Sequence, residues 1–267
     1  MAHTRQVRSR RRFAQPMLSV HDRGFDLPNA VSRDQCSELN SWFVPPFGYN
    51  TSMTVRDVLG VLNELTAAQW GLVTTAQAAR RGVSRLQLSR LVSDGLLERL
   101  GQGVYRATGV PVDRFEGIKA AWLSIDPKLT AEERLRRAVA DAVVSGTTAA
   151  WLHGLGDLVP EPYEFTVPVR RQTQRRELRF RVRQLPLDSV TIREGLPVTT
   201  AEQTIADLVA APTDHSLVAD ALADARGLDR LRLANLLDPI APRNGFTSGE
   251  VFLGDLDRLS RPTLQEG

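Results

Sequence analysis

Apolar residues recur along this chain with changing period, and the changes mark out its elements. From Thr54 onward, Val55, Val58, Leu59, Leu62 and Leu65 return at steps of three and four, the spacing of one helical face. After Trp70 and Gly71, Thr74-Thr75-Ala76-Gln77 has the form of a capping box, in which a threonine hydroxyl caps the helix and a glutamine reaches back to the cap. The pattern predicts a short helix ending near Arg81 at Gly82. Ser84-Arg85-Leu86-Gln87 repeats the capping logic and opens a third helix that stops at Gly95, with Leu88, Leu91 and Val92 facing a core. Two strands follow, Leu97 to Leu100 and Val104 to Ala107, joined by Gly101-Gln102-Gly103, a hairpin turn that permits positive φ. Helix, helix, tight turn, helix and two-stranded wing is the order of a winged helix-turn-helix, predicted here over residues 53–110.

Beyond Pro111 the pattern alternates. Helices are predicted at Val112 to Ser124 and Thr130 to Ala140, a short strand at Ala142 to Val144, and a helix at Thr147 to Leu155. Strands are expected at Tyr163 to Val167 and Leu178 to Leu185, the second with Leu178, Phe180 and Val182 alternating against Arg179, Arg181 and Arg183. Pro197-Val198-Thr199 leads into a helix over Thr200 to Ala210, and two more are predicted from Ser216 to Ala225 and Leu228 to Leu236. The fold class is therefore α+β or α/β: an N-terminal winged helix-turn-helix followed by a mixed α/β domain over residues 111–241. Residues 242–267 show no clear period and are expected to form a poorly ordered tail. Residues 1–52 carry Arg5, Arg8, Arg10, Arg11 and Arg12, then prolines and small polar residues without periodicity, and read as a disordered basic leader. That leader is either an arm for phosphates or a stretch upstream of a true start at Met53.

Composition narrows the chemistry. The 267 residues are 42% hydrophobic and 24% charged, ordinary for globular domains with real cores. No apolar run approaches the ~20 residues of a membrane span, and the basic start is not followed by the apolar stretch of a signal peptide, so a cytoplasmic protein without membrane contact is expected. One cysteine, Cys36, excludes an intrachain disulfide, and His3, His21, His153 and His215 lack metal-ligand spacing. No cofactor is expected. Charge is unevenly placed: residues 53–110 hold seven basic and four acidic groups, whereas residues 111–267 hold 20 and 23. Such asymmetry fits one end of the molecule meeting a polyanion. Lys119 and Lys128 are the only lysines, so almost every positive charge is a guanidinium suited to phosphate or base edges, a usage that a GC-rich genome would also produce.

Several longer stretches carry a family resemblance. "VTTAQAARRGVSRLQLSRLVSDGLLERLGQGVYR" from Val73 to Arg106 resembles the DNA-binding domain of AbiEi-type antitoxins, regulators paired with nucleotidyltransferase toxins in phage-defence toxin–antitoxin operons. Val144-Ser145, Ala149 to Leu155, "FTVP" from Phe165, and "LPVTTAEQTIADLVAA" from Leu196 to Ala211 resemble that family's C-terminal domain. The resemblance covers roughly residues 54–236. It implies a non-enzymatic antitoxin that binds its operator as an autoregulatory repressor and counteracts a nucleotidyltransferase toxin, whether or not by a stable complex.

In a helix-turn-helix the second helix of the pair enters the major groove, its N-terminal residues meeting base edges. Carried onto this chain, Arg85, Gln87 and Arg90 are the base-edge candidates. Ser84 and Ser93 are candidates for phosphates, and Gln102 at the wing tip with Arg99 and Arg106 for the minor groove or backbone. The bland alternative is a solvated helix face held by ion pairs one turn apart, yet Arg80, Arg81 and Arg85 have no acid four residues on, and Arg90 has only Asp94. A second basic cluster, Arg170, Arg171, Arg175, Arg176, Arg179, Arg181 and Arg183, has three readings: the exposed side of an edge strand that discourages aggregation, an extension of the phosphate footprint, or a dock for an acidic toxin surface. Trp122, Trp151 and His153 lie in apolar settings and are expected in the core.

Three rival functions remain open. Gly146 to Gly154 faintly resembles the nucleotide-binding start of nucleotidyltransferases, but that chemistry needs paired carboxylates for Mg²⁺ on a following strand, which here offers Glu161 and Glu164 without Asp-x-Asp. A stand-alone transcription factor with a ligand-sensing α/β domain is the second, and a protein-binding adaptor the third.

Overall fold

The computed structural model describes residues 53–137 and 141–260. The predicted basic leader (1–52), the end of the helix predicted to run to Ala140, and residues 261–267 of the predicted tail lie outside the described residues.

Capping side chains set where the N-terminal helices begin. Thr54 with Asp57 opens α1 (Val55–Ala67), Thr74 with Gln77 opens α2 (Thr75–Arg80), and Ser84 with Gln87 opens α3 (Arg85–Ser93). Each box satisfies backbone N–H groups that the first helical turn leaves without partners. Gly95, at φ +71, ends the third helix in the left-handed region, where a side chain would be strained. The inward faces supply one core: Val58, Leu62, Leu65, Val73, Ala78, Val83, Leu88, Leu91 and Leu97.

The wing has three strands rather than two. Leu72–Thr74 (β1) pairs antiparallel with β3 (Val104–Ala107), which pairs with β2 (Leu97–Gly101). Strand β1 has only three residues, all buried, too short for an alternating pattern to register in the sequence. Gly103, at φ +74, closes the β2–β3 turn, and its carbonyl accepts from the backbone N–H of Thr75 at 2.8 Å, fixing the wing tip to the start of α2.

The remainder is a mixed sheet clad by helices. Helices α4 (Glu116–Ile125) and α5 (Ala131–Leu135) precede β4 (Val143–Val144) and α6 (Gly146–His153). Strands β5 (Tyr163–Val167), β6 (Leu178–Val182), β7 (Val190–Arg193) and β8 (Leu196–Thr199) complete a sheet in the order β6-β5-β4-β8-β7, with β4–β8 and β5–β6 parallel and the other pairs antiparallel. Helices α7 (Ala201–Ala210), α8 (His215–Asp224), α9 (Arg230–Leu237) and α10 (Gly249–Leu259) follow. The β7–β8 hairpin escapes a period-based reading because β7 sits at an edge with three of its four residues exposed. The expected poorly ordered tail instead contains α10, whose Phe252, Leu253 and Leu256 share one helical face and are buried against α8 and α9, with glycine and acids on the other positions.

All described residues fall in one compact unit, because the core is continuous from the wing into the sheet. Leu72 and Val104 pack with Phe115, Ile118, Trp122 and Leu123 of the α4 region and with Phe165 and Val198 of the sheet. Trp122 is fully buried and donates its indole N–H to the Ala142 carbonyl at 2.8 Å; His153 is largely buried, its Nε2 2.7 Å from the Thr199 carbonyl, as the core reading of both expects. Beside Trp122, the wholly buried Arg134 forms a two-pronged pair with Asp141 at 2.6 and 2.9 Å and lies 3.6 Å over the indole ring. Burial pushes the Asp141 carboxyl up, but the guanidinium outweighs that and holds it below its ordinary value. Asp141→Asn strands a buried cation and is expected to reduce stability by about 3–5 kcal/mol in chemical denaturation. Because the folded carboxyl titrates below the unfolded one, its contribution is present above roughly pH 4 and lost as pH falls through the folded value, so the gap between wild type and variant should narrow on acidification. A gap of constant size from neutral pH to about pH 2 would contradict this assignment.

Candidate nucleic-acid interface

Helix α3 turns Leu88 and Leu91 inward, so Arg85, Leu86, Ser89, Arg90 and Ser93 all face solvent. Arg85 and Arg90 have no acidic partner among the described residues, and the one pair that sequence spacing offers, Arg90 with Asp94, is not formed. Leu86 is 61% exposed between them, an apolar side chain on an otherwise polar surface that the sequence reading passed over. Gln87 belongs to the cap: its Oε1 accepts from the Ser84 N–H at 2.8 Å and the Ser84 hydroxyl at 2.9 Å, so these groups of the two side chains are engaged with each other. The Ser93 hydroxyl donates to the Ser89 carbonyl at 3.1 Å.

The wing divides its candidates. Gln102 at the tip and Arg99 are exposed, the latter donating from Nε to the Gly101 carbonyl at 3.3 Å. Arg106 is turned inward, its side chain only 12% exposed, paired with Glu98 and, at 3.0 Å, with Glu116 on α4. That pairing holds its guanidinium above the ordinary range and fixes it as a strut between wing and α4, not a groove contact. Arg80 and Arg81 also have partners, Glu133 at 3.3 Å and Glu64 at 2.5 Å, each far outside the one-turn window in which sequence spacing can find them.

An open cleft of about 1110 Å³ runs beside this surface. Arg80, Arg85, Arg99, Gln102, Lys128 and Arg175 line it together with apolar and small polar groups, and no acidic side chain does. Its walls thus come from α2, the start of α3, the wing, the α4–α5 turn and the segment before β6.

The second basic cluster is mostly structural. Strand β6 is an edge strand, and its alternation holds only in part: Leu178 is buried and Phe180 packs on the core, but Val182 is exposed. Its arginine face is not free, however: Arg179 reaches Glu164 at 2.8 Å, Arg181 lies 3.9 Å from the same carboxylate, and Arg183 reaches Asp207 at 2.8 Å. Arg171 donates to the Ile125 carbonyl, and Arg175 to the Ser124 hydroxyl and Glu177. Arg170 and Arg176 are exposed without a partner among the described residues. Glu164 is therefore a buried partner of arginines, not one of a pair of metal-holding carboxylates.

Two family models match the chain. Residues 61–108 match that described as a transcriptional regulator, AbiEi antitoxin, and residues 142–244 that described as the AbiEi antitoxin C-terminal domain. The chain belongs to the AbiEi antitoxin family. Among solved structures, the RV2827C protein from Mycobacterium tuberculosis is similar at 16% identity over 76% of this chain and 81% of that one, with a TM-score of 0.45. No curated protein matches. Among the described residues, no helix is long and apolar enough to cross a membrane. In this AbiEi-family chain the segment between the two matched stretches, residues 109–141, holds α4, α5 and Lys128, the very elements that brace the wing.

Burial raises the Asp207 carboxyl above its ordinary value, and Arg183 opposes the rise. Removing the guanidinium lets the folded value climb further, so the destabilisation from Arg183→Ala should be small in acid and widen as pH rises through the carboxylate range. Melting curves from pH 3 to 7 that run parallel would show that Arg183 does not neutralise Asp207 (roughly the window in which carboxyls titrate).

Proposed function

We propose that this antitoxin-family regulator binds the operator of its own operon through the outward face of α3, represses transcription there, and counteracts a nucleotidyltransferase toxin through the region that follows the wing. The observation that carries the reading is the pair Arg85 and Arg90: exposed, without acidic partners among the described residues, on the face of α3 opposite Leu88 and Leu91. A guanidinium matches the O6 and N7 acceptors of guanine in the major groove, and each such contact is worth ~1–3 kcal/mol of discrimination. Leu86 suits an apolar contact with the 5-methyl group of thymine. Arg99 and Gln102 on the wing are placed for phosphates or the minor groove.

Gel shifts on the chain's own promoter test the reading. Arg85→Ala/Arg90→Ala is expected to weaken operator binding by about a hundred-fold or more while leaving the melting temperature unchanged, since both side chains are exposed. Retained operator binding would remove α3 as the reading helix. Amplifying the same promoter with deoxyuridine in place of thymidine should weaken the wild type about four-fold for each methyl contacted, and Leu86→Ala should abolish that difference. Co-expression with a neighbouring nucleotidyltransferase toxin tests the other half: growth should be restored by the full chain and by Arg85→Ala/Arg90→Ala alike, because neutralisation is assigned away from α3.

A further inference from the structure

Three consecutive backbone carbonyls of the α4–α5 turn point at the winged helix. Pro127 accepts from the Thr74 hydroxyl, Lys128 from the Arg80 guanidinium at 2.6 Å, and Leu129 from the Gln77 amide at 2.7 Å. One residue after Thr130, the backbone N–H of Ala131 donates to the Gln69 side chain at 3.2 Å. The turn is therefore held by the same side chains that cap α2. With its carbonyls directed inward, the exposed Lys128 side chain lines the basic cleft together with Arg85 of α3 and Arg99 and Gln102 of the wing.

The two lysines have contrasting settings. The Lys119 ammonium is buried against Asp113 and lies 5.4 Å from the Trp70 ring, neutralised within the fold. Lys128 has no acidic partner among the described residues. Nor does any acid line the cleft, in which Arg85 and Arg99 are likewise unpaired. Three unpaired cations on the walls of one opening give it a positive potential that favours an anion, and an ammonium on a flexible four-carbon stem is a point charge suited to phosphate rather than to base edges.

We propose that Lys128 is a DNA phosphate contact supplied from outside the winged helix, so that the duplex bound by α3 is also held by the α4–α5 turn. The proposal rests on the operator-binding reading above and adds to it a sequence-independent grip. The alternative source of phosphate, a free nucleotide, would occupy the cleft without reference to α3.

The test uses the full chain, a duplex carrying its own promoter and an unrelated duplex of equal length, with dissociation constants measured across a salt series. Lys128→Gln should weaken both complexes by the same factor, leave their ratio unchanged, and make the slope of log affinity against log salt shallower by about 0.9, the loss of one phosphate contact. Lys128→Arg should restore the wild-type slope. Wild-type affinity and slope in Lys128→Gln, with operator preference intact, would overturn the proposal and leave the operator-binding reading standing. Failure of the wild type to prefer its promoter over the unrelated duplex would instead overturn the reading and the proposal together. Inhibition of promoter binding by ATP that disappears in Lys128→Gln, without the change in slope, would assign the cleft to a nucleotide and overturn the proposal as well.

Discussion

Two buried glutamines hold the winged helix-turn-helix of this molecule to the rest. Gln69 and Gln77 are almost fully enclosed, and each makes several hydrogen bonds: Gln69 donates to the Leu72 carbonyl at 2.8 Å and to Gln77 Oε1 at 2.6 Å, while Gln77 caps α2 by accepting from the Thr74 N–H at 2.9 Å. Their remaining valences reach the α4–α5 turn, at Leu129 and Ala131. A buried amide left without partners costs about 1–3 kcal/mol, so once this network closes, displacing any member penalises the others. The cap of α2, the return of β1 and the docking of the turn are thus one event. The position of α3 follows from it, because α2 and α3 share a tight turn and a common core.

The same network explains what a linear reading recovers. The capping boxes at Thr74 and Ser84 are legible because they act across three residues, and the α3 core face is legible because Leu88 and Leu91 are one helical step apart. Gln77 is visible as a cap; that the nitrogen of the same side-chain amide donates to the Leu129 carbonyl, 52 residues on, is not. The boundaries of β5 and β3 read correctly because their residues are strongly β-forming and flanked by turns. Strand β1 reads poorly because it is too short for any period, whereas Phe252, Leu253 and Leu256 of α10 do have helical spacing, and what the linear pattern lacks is the α8 and α9 surface they pack on.

Charge is where sequence and structure part furthest. An arginine in a basic run looks available to a polyanion until its partner is known, and most partners here are distant: Arg106 with Glu116, Arg183 with Asp207, Arg80 with Glu133. Folding sorts the arginines into struts and free cations by bringing acids from other elements beneath them. Arg179, Arg181 and Arg183 become struts because Glu164 and Asp207 lie buried on the face their strand presents, where an unneutralised carboxylate would be costly. Arg85 and Arg90 stay unpaired because α3 meets the core through Leu88, Leu91 and Val92 on its opposite face, and among the described residues no acid lies within ion-pair reach of its outward face.

A surface that reads a duplex must keep its donors in register against thermal motion, since a bidentate contact is lost when the guanidinium strays by a fraction of an ångström to an ångström or so. A winged helix alone has a modest core, and here part of the wing's apolar face, Leu72 and Val104, is completed by α4 and the sheet. Arg106 ties the wing to Glu116, the Gly103 carbonyl ties its turn to Thr75, and the two glutamines tie α2 to the α4–α5 turn. The winged helix and the following α/β region are therefore not beads on a linker.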